Sequence, residues 1–162
     1  MDAGDVYRAY ARGVLGYLRS QGVADPEDVL GEVFLNVSKS LPRFVGDEDH
    51  LRRWVFTLAH HRIIDDRRRR ARRPQVVDAE LPDTAAPPAP EPADPELVAA
   101  LARLTDDQRE VVLLRFIADM SVDEVARLTN RSSVAVRALQ HRAMAQLART
   151  ISASQEADRA EG

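Results

Sequence analysis

The sequence contains no cysteine, which excludes disulfide bonds and thiolate metal sites. The four histidines show no metal-like spacing, because His60 and His61 are adjacent and project in different directions from a helix. No apolar run approaches the ~20 residues that span a bilayer, and the N-terminus lacks a basic stretch followed by an apolar core. We therefore expect no metal, no cofactor and no membrane insertion, and a cytoplasmic protein.

Lysine is almost absent: Lys39 is the only lysine among 23 basic residues, and the remainder are arginines. The net charge of −3 conceals an asymmetry along the chain. Residues 1–73 carry 14 basic and 11 acidic side chains, whereas residues 74–95 carry five acidic and no basic ones. The acidic excess lies in the middle of the chain, so the net charge does not exclude a nucleic-acid partner.

The middle segment, "PQVVDAELPDTAAPPAPEPADP", contains seven prolines and no sustained periodicity, which predicts an extended, self-repelling linker. On both sides of it the apolar pattern is helical, without period-two alternation or hairpin signals. We predict an all-α fold of two small helical domains, 1–73 and 96–150, joined by a flexible acidic proline-rich linker, 74–95. Residues 151–162 are polar, and we expect a frayed tail.

Three helices are predicted in the first domain. Gly22 offers a left-handed stop for the first, and Asp25 and Pro26 are the expected N-cap and first residue of the second. The second helix directs Asp28 and Glu32 outward. The third begins near Asp49, ends in the arginine cluster "RRRRARR" before Pro74, and is expected to bury Leu51, Trp54, Val55, Leu58 and Ile64.

The second domain carries a short amphipathic helix over 96–104 and two capping boxes, Thr105 with Gln108 and Ser121 with Glu124. A helix, a left-handed turn at Asn130 and a second helix capped by Ser132 follow, which is a helix-turn-helix. Its exposed residues would be Ser133, Arg137, Ala138, His141 and Arg142. A helical hairpin that only packs has the same periodicity, so the pattern alone leaves DNA binding open.

Three segments in order resemble the extracytoplasmic-function group of bacterial sigma factors: "DPEDVLGEVFLNV", "LRRWVFTLAHHRIIDDRRR" and "LTDDQREVVLLRFIADMSVDEVARLTNRSSVAVRALQHRA". The resemblance implies that residues 1–73 form sigma region two and residues 96–150 region four. It also implies a protein that is not an enzyme. Such proteins bind core RNA polymerase, direct it to promoter DNA and help to open the duplex.

The resemblance also implies residue roles in the first domain. Asp25, Asp28 and Glu32 would face the clamp of the largest polymerase subunit, although capping alone also explains Asp25. Phe44 and His61 match the loop and helix that hold a flipped minus-ten base, and a core aromatic is the alternative for Phe44. His61 stands where the family often has asparagine. The remaining predicted minus-ten residues are Asp65 and one arginine stripe, Arg62, Arg69 and Arg73.

The arginine cluster has three interpretations: a solvated charge run, a nuclear address and a nucleic-acid surface. The resemblance to a bacterial family disfavours the nuclear address. Asp65 can pair with Arg69 and Asp66 with Arg70 at four-residue spacing. We expect Arg67, Arg68 and Arg72 to be solvated or to touch polymerase.

For region four the resemblance implies contact with the flap of the second-largest polymerase subunit and with the minus-thirty-five element. The predicted DNA residues are Ser132, Ser133, Arg137, Ala138, His141 and Arg142. Leu139 and Gln140 depart from the family's more frequent Arg-Leu order, and a solvated side chain is the alternative for His141. Arginine can read guanine or hold a phosphate, and the sequence does not separate the two.

Two other functions compete with this interpretation: a stand-alone helix-turn-helix regulator and a helical adaptor that binds no DNA. The acidic linker either threads a positively charged polymerase channel or serves as a spacer. Because the sequence shows no sensing domain, we expect control by an anti-sigma factor that covers the polymerase-binding faces.

Overall fold

A computed structural model describes residues 1–72 and 94–162, which fall into two compact units that we treat separately. Arg73 and the predicted linker up to residue 93 lie outside the described residues. Within the described ranges the secondary structure is helical without strands, which confirms the all-α prediction. The helices are α1 Ala3–Ser20, α2 Pro26–Ser40, α3 Glu48–Arg72, α4 Pro95–Ala102, α5 Asp106–Phe116, α6 Val122–Thr129 and α7 Ser133–Glu161, and a 3-10 turn spans Leu41–Arg43.

Unit 1 is a bundle of α1, α2 and α3, each packed on the other two. Gly22 has φ 71°, and the Asp25 carboxylate accepts a hydrogen bond from the backbone N–H of Asp28, so the predicted stop and N-cap are confirmed. The apolar face of α2 is buried as predicted, at Val29, Leu30, Val33, Phe34 and Val37. Burying this face places the acidic residues of α2 towards solvent.

The predicted buried face of α3 was partly wrong. Leu51 and Val55 are buried, but Trp54, Leu58 and Ile64 are only half-buried. The observed buried face is Leu51, Val55, Phe56, Ala59, His60 and Ile63. This face includes a polar residue, His60, whose Nδ1 lies 2.8 Å from the Tyr17 hydroxyl. The hydrogen bond satisfies a buried polar group, so a histidine can occupy a core position that apolar periodicity does not reveal.

Unit 2 contains the predicted helix-turn-helix. Both capping boxes, Thr105 with Gln108 and Ser121 with Glu124, are reciprocal as predicted. Asn130 ends α6 in the left-handed conformation, with φ 56° and ψ 46°. Ser132 then caps α7 by accepting a hydrogen bond from the backbone N–H of Ala135. These local interactions hold α7 at a defined angle to α6.

Two helix boundaries of unit 2 differ from the expected ones. The expected frayed tail is helical, because α7 continues to Glu161. No glycine or proline interrupts residues 151–161, and the Ser154 hydroxyl donates to the Glu96 carboxylate on α4 at 3.3 Å. The predicted linker also ends earlier than expected, since Asp94 caps α4 and Pro95 is its first residue.

Candidate nucleic-acid interface

The acidic face of α2 is exposed at Asp25 and half-exposed at Asp28 and Glu32. The Asp25 carboxylate is engaged in the N-cap, with 3.1 Å between its Oδ1 and the Asp28 nitrogen, which fits the capping interpretation of that residue. Glu32 points across the bundle instead. Its Oε2 lies 3.3 Å from Nη1 of Arg62 on α3. The predicted polymerase face and the predicted DNA stripe therefore meet in one ion pair.

Three local contacts stabilise the loop between α2 and α3. The ring of Phe44 stacks on Trp54 with centroids 5.1 Å apart, and both side chains are half-buried. Gly46 has φ 154°, and a Cβ there would lie 2.8 Å from Cβ of His50, so only glycine fits. The backbone N–H of His50 donates to Asp47 at 2.9 Å, and this bond, followed by contact with the His50 ring, lowers the pKa of Asp47.

This geometry gives Trp54 a different role from the predicted core position. Its ring forms one wall of a half-exposed aromatic pair whose other member, Phe44, is the predicted base-holding residue. Next to that pair, Val45 is 93% exposed. A stacked aromatic pair at the edge of a protein is a surface on which an unstacked base can stack in turn.

The C-terminal half of α3 presents His61, Asp65 and Arg69 to solvent, in contrast to the neighbouring His60, which is buried. One of the two predicted i,i+4 ion pairs is present, with 3.0 Å between Arg70 and Asp66. In the part of the chain that the structure describes, Asp65 and Arg69 form no such pair. Arg69 is therefore available to an external anion.

Arg67 is exposed, as expected of a solvated side chain, and it also forms one hydrogen bond within unit 1. Its guanidinium donates to the amide oxygen of Gln21, just after α1, at 2.9 Å. This contact joins the ends of α1 and α3, separated by 46 residues in sequence. Arg67 is thus a solvent-exposed residue that links the two helices by a hydrogen bond.

The predicted minus-thirty-five residues are the N-cap of α7 and five residues in its first three turns. Ser132, Arg137, His141 and Arg142 are exposed, and Ser133 and Ala138 are half-buried. The exception to an outward role is Ser133, whose hydroxyl donates to the Asp123 carboxylate on α6 at 2.8 Å. Ser133 therefore also joins the two helices of the motif.

Sequence reasoning missed two arginines that position α7. Arg115 on α5 donates through Nε to the side-chain oxygen of Gln140 at 2.9 Å and through Nη1 to the carbonyl of Met120 at 2.5 Å. These bonds attach the middle of α7 to the end of α5. Gln140, one of the residues that depart from the family pattern, thus accepts a hydrogen bond that helps to hold α7 on α5.

The second missed residue is Arg131, in the turn before α7. It contacts Asp107 at 2.8 Å and the buried Glu110 at 3.3 Å, both on α5. Asp107 and Glu110 stand three residues apart, on one face of a helix. The three-residue spacing of these two acids could have indicated a basic partner. That partner, Arg131, lies more than 20 residues away in sequence.

No group of three or more histidine, aspartate or glutamate side chains within 1–72 and 94–162 could hold a metal ion. None of the helices in those ranges is long and apolar enough to cross a membrane.

Two family models match this chain, one in each of its two units. Residues 6–73 match sigma-70 region 2, and residues 95–147 match sigma-70, region 4. The RNA polymerase sigma factor CarQ of Myxococcus xanthus is 30% identical over 144 residues, covering 85% of this chain and 82% of CarQ. The ECF RNA polymerase sigma factor BldN of Streptomyces coelicolor is 31% identical over 157 residues. That alignment covers 91% of this chain, which spans only 60% of the length of BldN.

Two solved structures are similar to most of this chain. CnrH, solved in complex with the cytosolic domain of CnrY, has a TM-score of 0.55 and 26% identity, over 93% of this chain and 88% of CnrH. The sigma factor RpoE in complex with the anti-sigma factor NepR, from Bartonella quintana, has a TM-score of 0.63 over 92% of this chain and 96% of RpoE. Its identity is 18%, so it supports the fold alone.

Proposed function

The chain belongs to the sigma-70 family of RNA polymerase sigma factors, and we propose that it binds core polymerase, recognises a promoter and promotes its opening. One observation carries this proposal: regions 2 and 4 occur in one chain, each on its own helical unit. A stand-alone helix-turn-helix regulator would need only the second unit. A helical adaptor would need neither an exposed arginine face on α7 nor an aromatic pair beside α3.

For unit 1, residues 1–73, we propose two faces. Asp28 and Glu32, with Asp25 at the cap, bind the clamp of the largest polymerase subunit. The Phe44–Trp54 pair and the exposed His61 receive an unstacked minus-ten base, because flipping costs a few kcal/mol that stacking and hydrogen bonds must offset. On the same proposal, the phosphates next to that base are contacted by Arg62, Arg69 and Arg73, and Asp65 completes the minus-ten set.

For unit 2, we propose that α7 enters the major groove at the minus-thirty-five element. The exposed Arg137 and Arg142 are the residues able to read bases or hold phosphates, and His141 lies between them on the same helix. The flap of the second-largest polymerase subunit is the proposed protein partner of this unit. An anti-sigma factor is a further proposed partner, supported by the similarity to CnrH, which was solved with CnrY.

Run-off transcription with purified core polymerase tests this function. Promoters are first selected from a genomic library, and transcripts are then measured with core alone, with the chain alone and with both. We expect transcripts only with both components. Specific duplex binding by the isolated chain at the affinity of the holoenzyme would favour the stand-alone regulator, and no initiation from any selected promoter would reject the proposal.

Two variants make the assay specific to the proposed interfaces. Arg137→Ala with Arg142→Ala should abolish dependence on the minus-thirty-five sequence. Arg127→Ala, an exposed arginine on α6 outside the proposed interface, should leave initiation as in the wild type. Equal loss in both variants would show a general charge effect instead of recognition.

A further inference from the structure

Unit 2 has a cleft of about 450 Å³ between α7 and the junction of α4 with α5. Three arginines line it, Arg103 just after α4 and Arg142 and Arg149 on α7. Gln108 and Gln146 add amide groups, and no carboxylate lines the cleft. A concave surface with three guanidinium groups and no acid has the charge to bind an anion.

Two acids that follow Thr105, a residue of the cleft wall, each pair with an arginine outside the cleft. Asp106 contacts Arg109 at 3.0 Å, and Asp107 contacts Arg131 at 2.8 Å. Both carboxylates belong to the first turn of α5, close to Thr105 in the cleft wall. The positive charge of the cleft is therefore not cancelled by its surroundings.

The arginines of the cleft are also available. Within the described ranges the side chains of Arg103 and Arg142 form no hydrogen bond or ion pair, and both residues are exposed. Arg149 donates to the neutral amide oxygen of Gln146 at 2.7 Å, which holds its side chain in place without removing its charge. Planar guanidinium groups bind phosphate oxygens in a bidentate way that lysine cannot reproduce.

The cleft is continuous with the proposed minus-thirty-five face, because His141 and Arg142 belong to both. Arg149 lies seven residues beyond Arg142, or about 10 Å further along the helix. A nucleic-acid backbone that reaches Arg142 can therefore continue along α7 towards Arg149.

We propose that this cleft is a second DNA contact of unit 2, in which Arg103 and Arg149 bind backbone phosphates that flank the minus-thirty-five element. This inference rests on the proposed sigma-factor function. Phosphate contacts position a protein on the duplex and carry no sequence information. The cleft therefore increases promoter affinity equally for all minus-thirty-five sequences.

The test uses holoenzyme assembled from core polymerase and the full chain, with Arg103→Gln and Arg149→Gln singly and together. Arg159→Gln is the matched control, since it removes one positive charge from the exposed last turn of α7, outside the cleft. Promoter affinity is measured over a range of salt. The slope of log affinity against log salt should fall by about 0.9 for each phosphate that the variant no longer neutralises, so by about 1.8 in the double variant. The affinity ratio between intact and altered minus-thirty-five sequences should not change.

A slope equal to that of Arg159→Gln, or a changed sequence ratio, would overturn the inference. Run-off transcription by the wild type is measured first, so failure of the sigma function is seen separately. A double-variant cycle uses promoters in which one flanking phosphate is replaced by a neutral methylphosphonate. At the phosphate that Arg149 contacts, this replacement already removes the interaction, so Arg149→Gln should cause no further loss of promoter affinity. Calorimetry with inorganic phosphate and with ATP tests whether the cleft binds a free anion. The contrary result is that phosphate or ATP binds with micromolar affinity that the double variant abolishes, while the salt slope of DNA binding stays unchanged. That result would show that the ligand of the cleft is a soluble phosphate compound and not DNA.

Discussion

The ion pair between Glu32 and Arg62 joins the proposed polymerase face to the proposed DNA face. Either Glu32→Gln or Arg62→Gln removes it. The two charged groups are 3.3 Å apart, with 38% and 31% of their side chains exposed. Solvent screening at this exposure leaves about 0.2–1 kcal/mol for the pair. Each substitution should therefore lower the free energy of unfolding by less than about 1 kcal/mol, and urea denaturation measures this loss.

The functional effects of these two substitutions should differ in direction. Glu32→Gln removes a carboxylate from the polymerase face and releases Arg62, so affinity for core should fall while the salt slope of promoter binding by holoenzyme stays equal or steepens. Arg62→Gln removes a cation from the DNA face, so that slope should flatten by up to about 0.9. Competition binding to core polymerase and promoter anisotropy over a salt series measure the two quantities.

Glu27→Gln is the control for this experiment. Glu27 lies on the same helix and pairs with Arg19 at 3.0 Å, but it is not in the proposed polymerase face. It should cost similar stability and leave core affinity unchanged. If Glu32→Gln and Glu27→Gln had the same core affinity, and Arg62→Gln kept the wild-type salt slope, the Glu32–Arg62 pair would be structural and both assignments would be rejected.

Substitutions at three other positions have separate expected outcomes. Phe44→Ala removes a ring stack with Trp54 worth about 0.5–1.5 kcal/mol. The permanganate reactivity of melted minus-ten thymines should fall, while the affinity of the closed complex should stay unchanged. Equal loss of both would indicate that Phe44 only stabilises the loop. Asn130→Ala should lower the free energy of unfolding by about 1 kcal/mol and Asn130→Gly should be nearly neutral, and equal urea midpoints for the two would contradict a left-handed requirement. Arg131→Met removes the contacts of this arginine with Asp107 and with buried Glu110, and it should lower the free energy of unfolding by about 1–3 kcal/mol. The added Glu110→Leu should restore part of this loss; no recovery in thermal denaturation would show that the Arg131–Glu110 pair is net stabilising.

The parts of this fold that could be predicted are those determined within four residues. Asp25, Thr105, Ser121 and Ser132 each accept a hydrogen bond from an N–H three residues later, so the residue type and its spacing are sufficient. Asn130 follows the same logic, because its side chain tolerates the left-handed region. Helix starts, the turn and the exposed face of α7 were therefore accessible from sequence.

The parts that could not be predicted depend on partners far away along the chain. The burial of His60 was not predicted, because its core position depends on the hydroxyl of Tyr17, 43 residues earlier. Arg131 and Arg115 position α7 through residues at separations of 21–25, which no helical period connects. Trp54 was placed in the core by its phase, but the half-exposed stack with Phe44 depends on the loop conformation at Gly46.

The arginine cluster at the end of α3 shows how such contacts change the candidate site. Three arginines of this region contact other residues of unit 1: Arg62 with Glu32, Arg67 with Gln21 and Arg70 with Asp66. Arg68, Arg69 and Arg72 are exposed and, in the part of the chain the structure describes, form no ion pair. Because residues three and four apart are neighbours on a helix, these three form one continuous surface. The charge available to an external phosphate at rest is therefore centred on Arg69 and Arg72, and Arg62 joins it only when Glu32 has another partner.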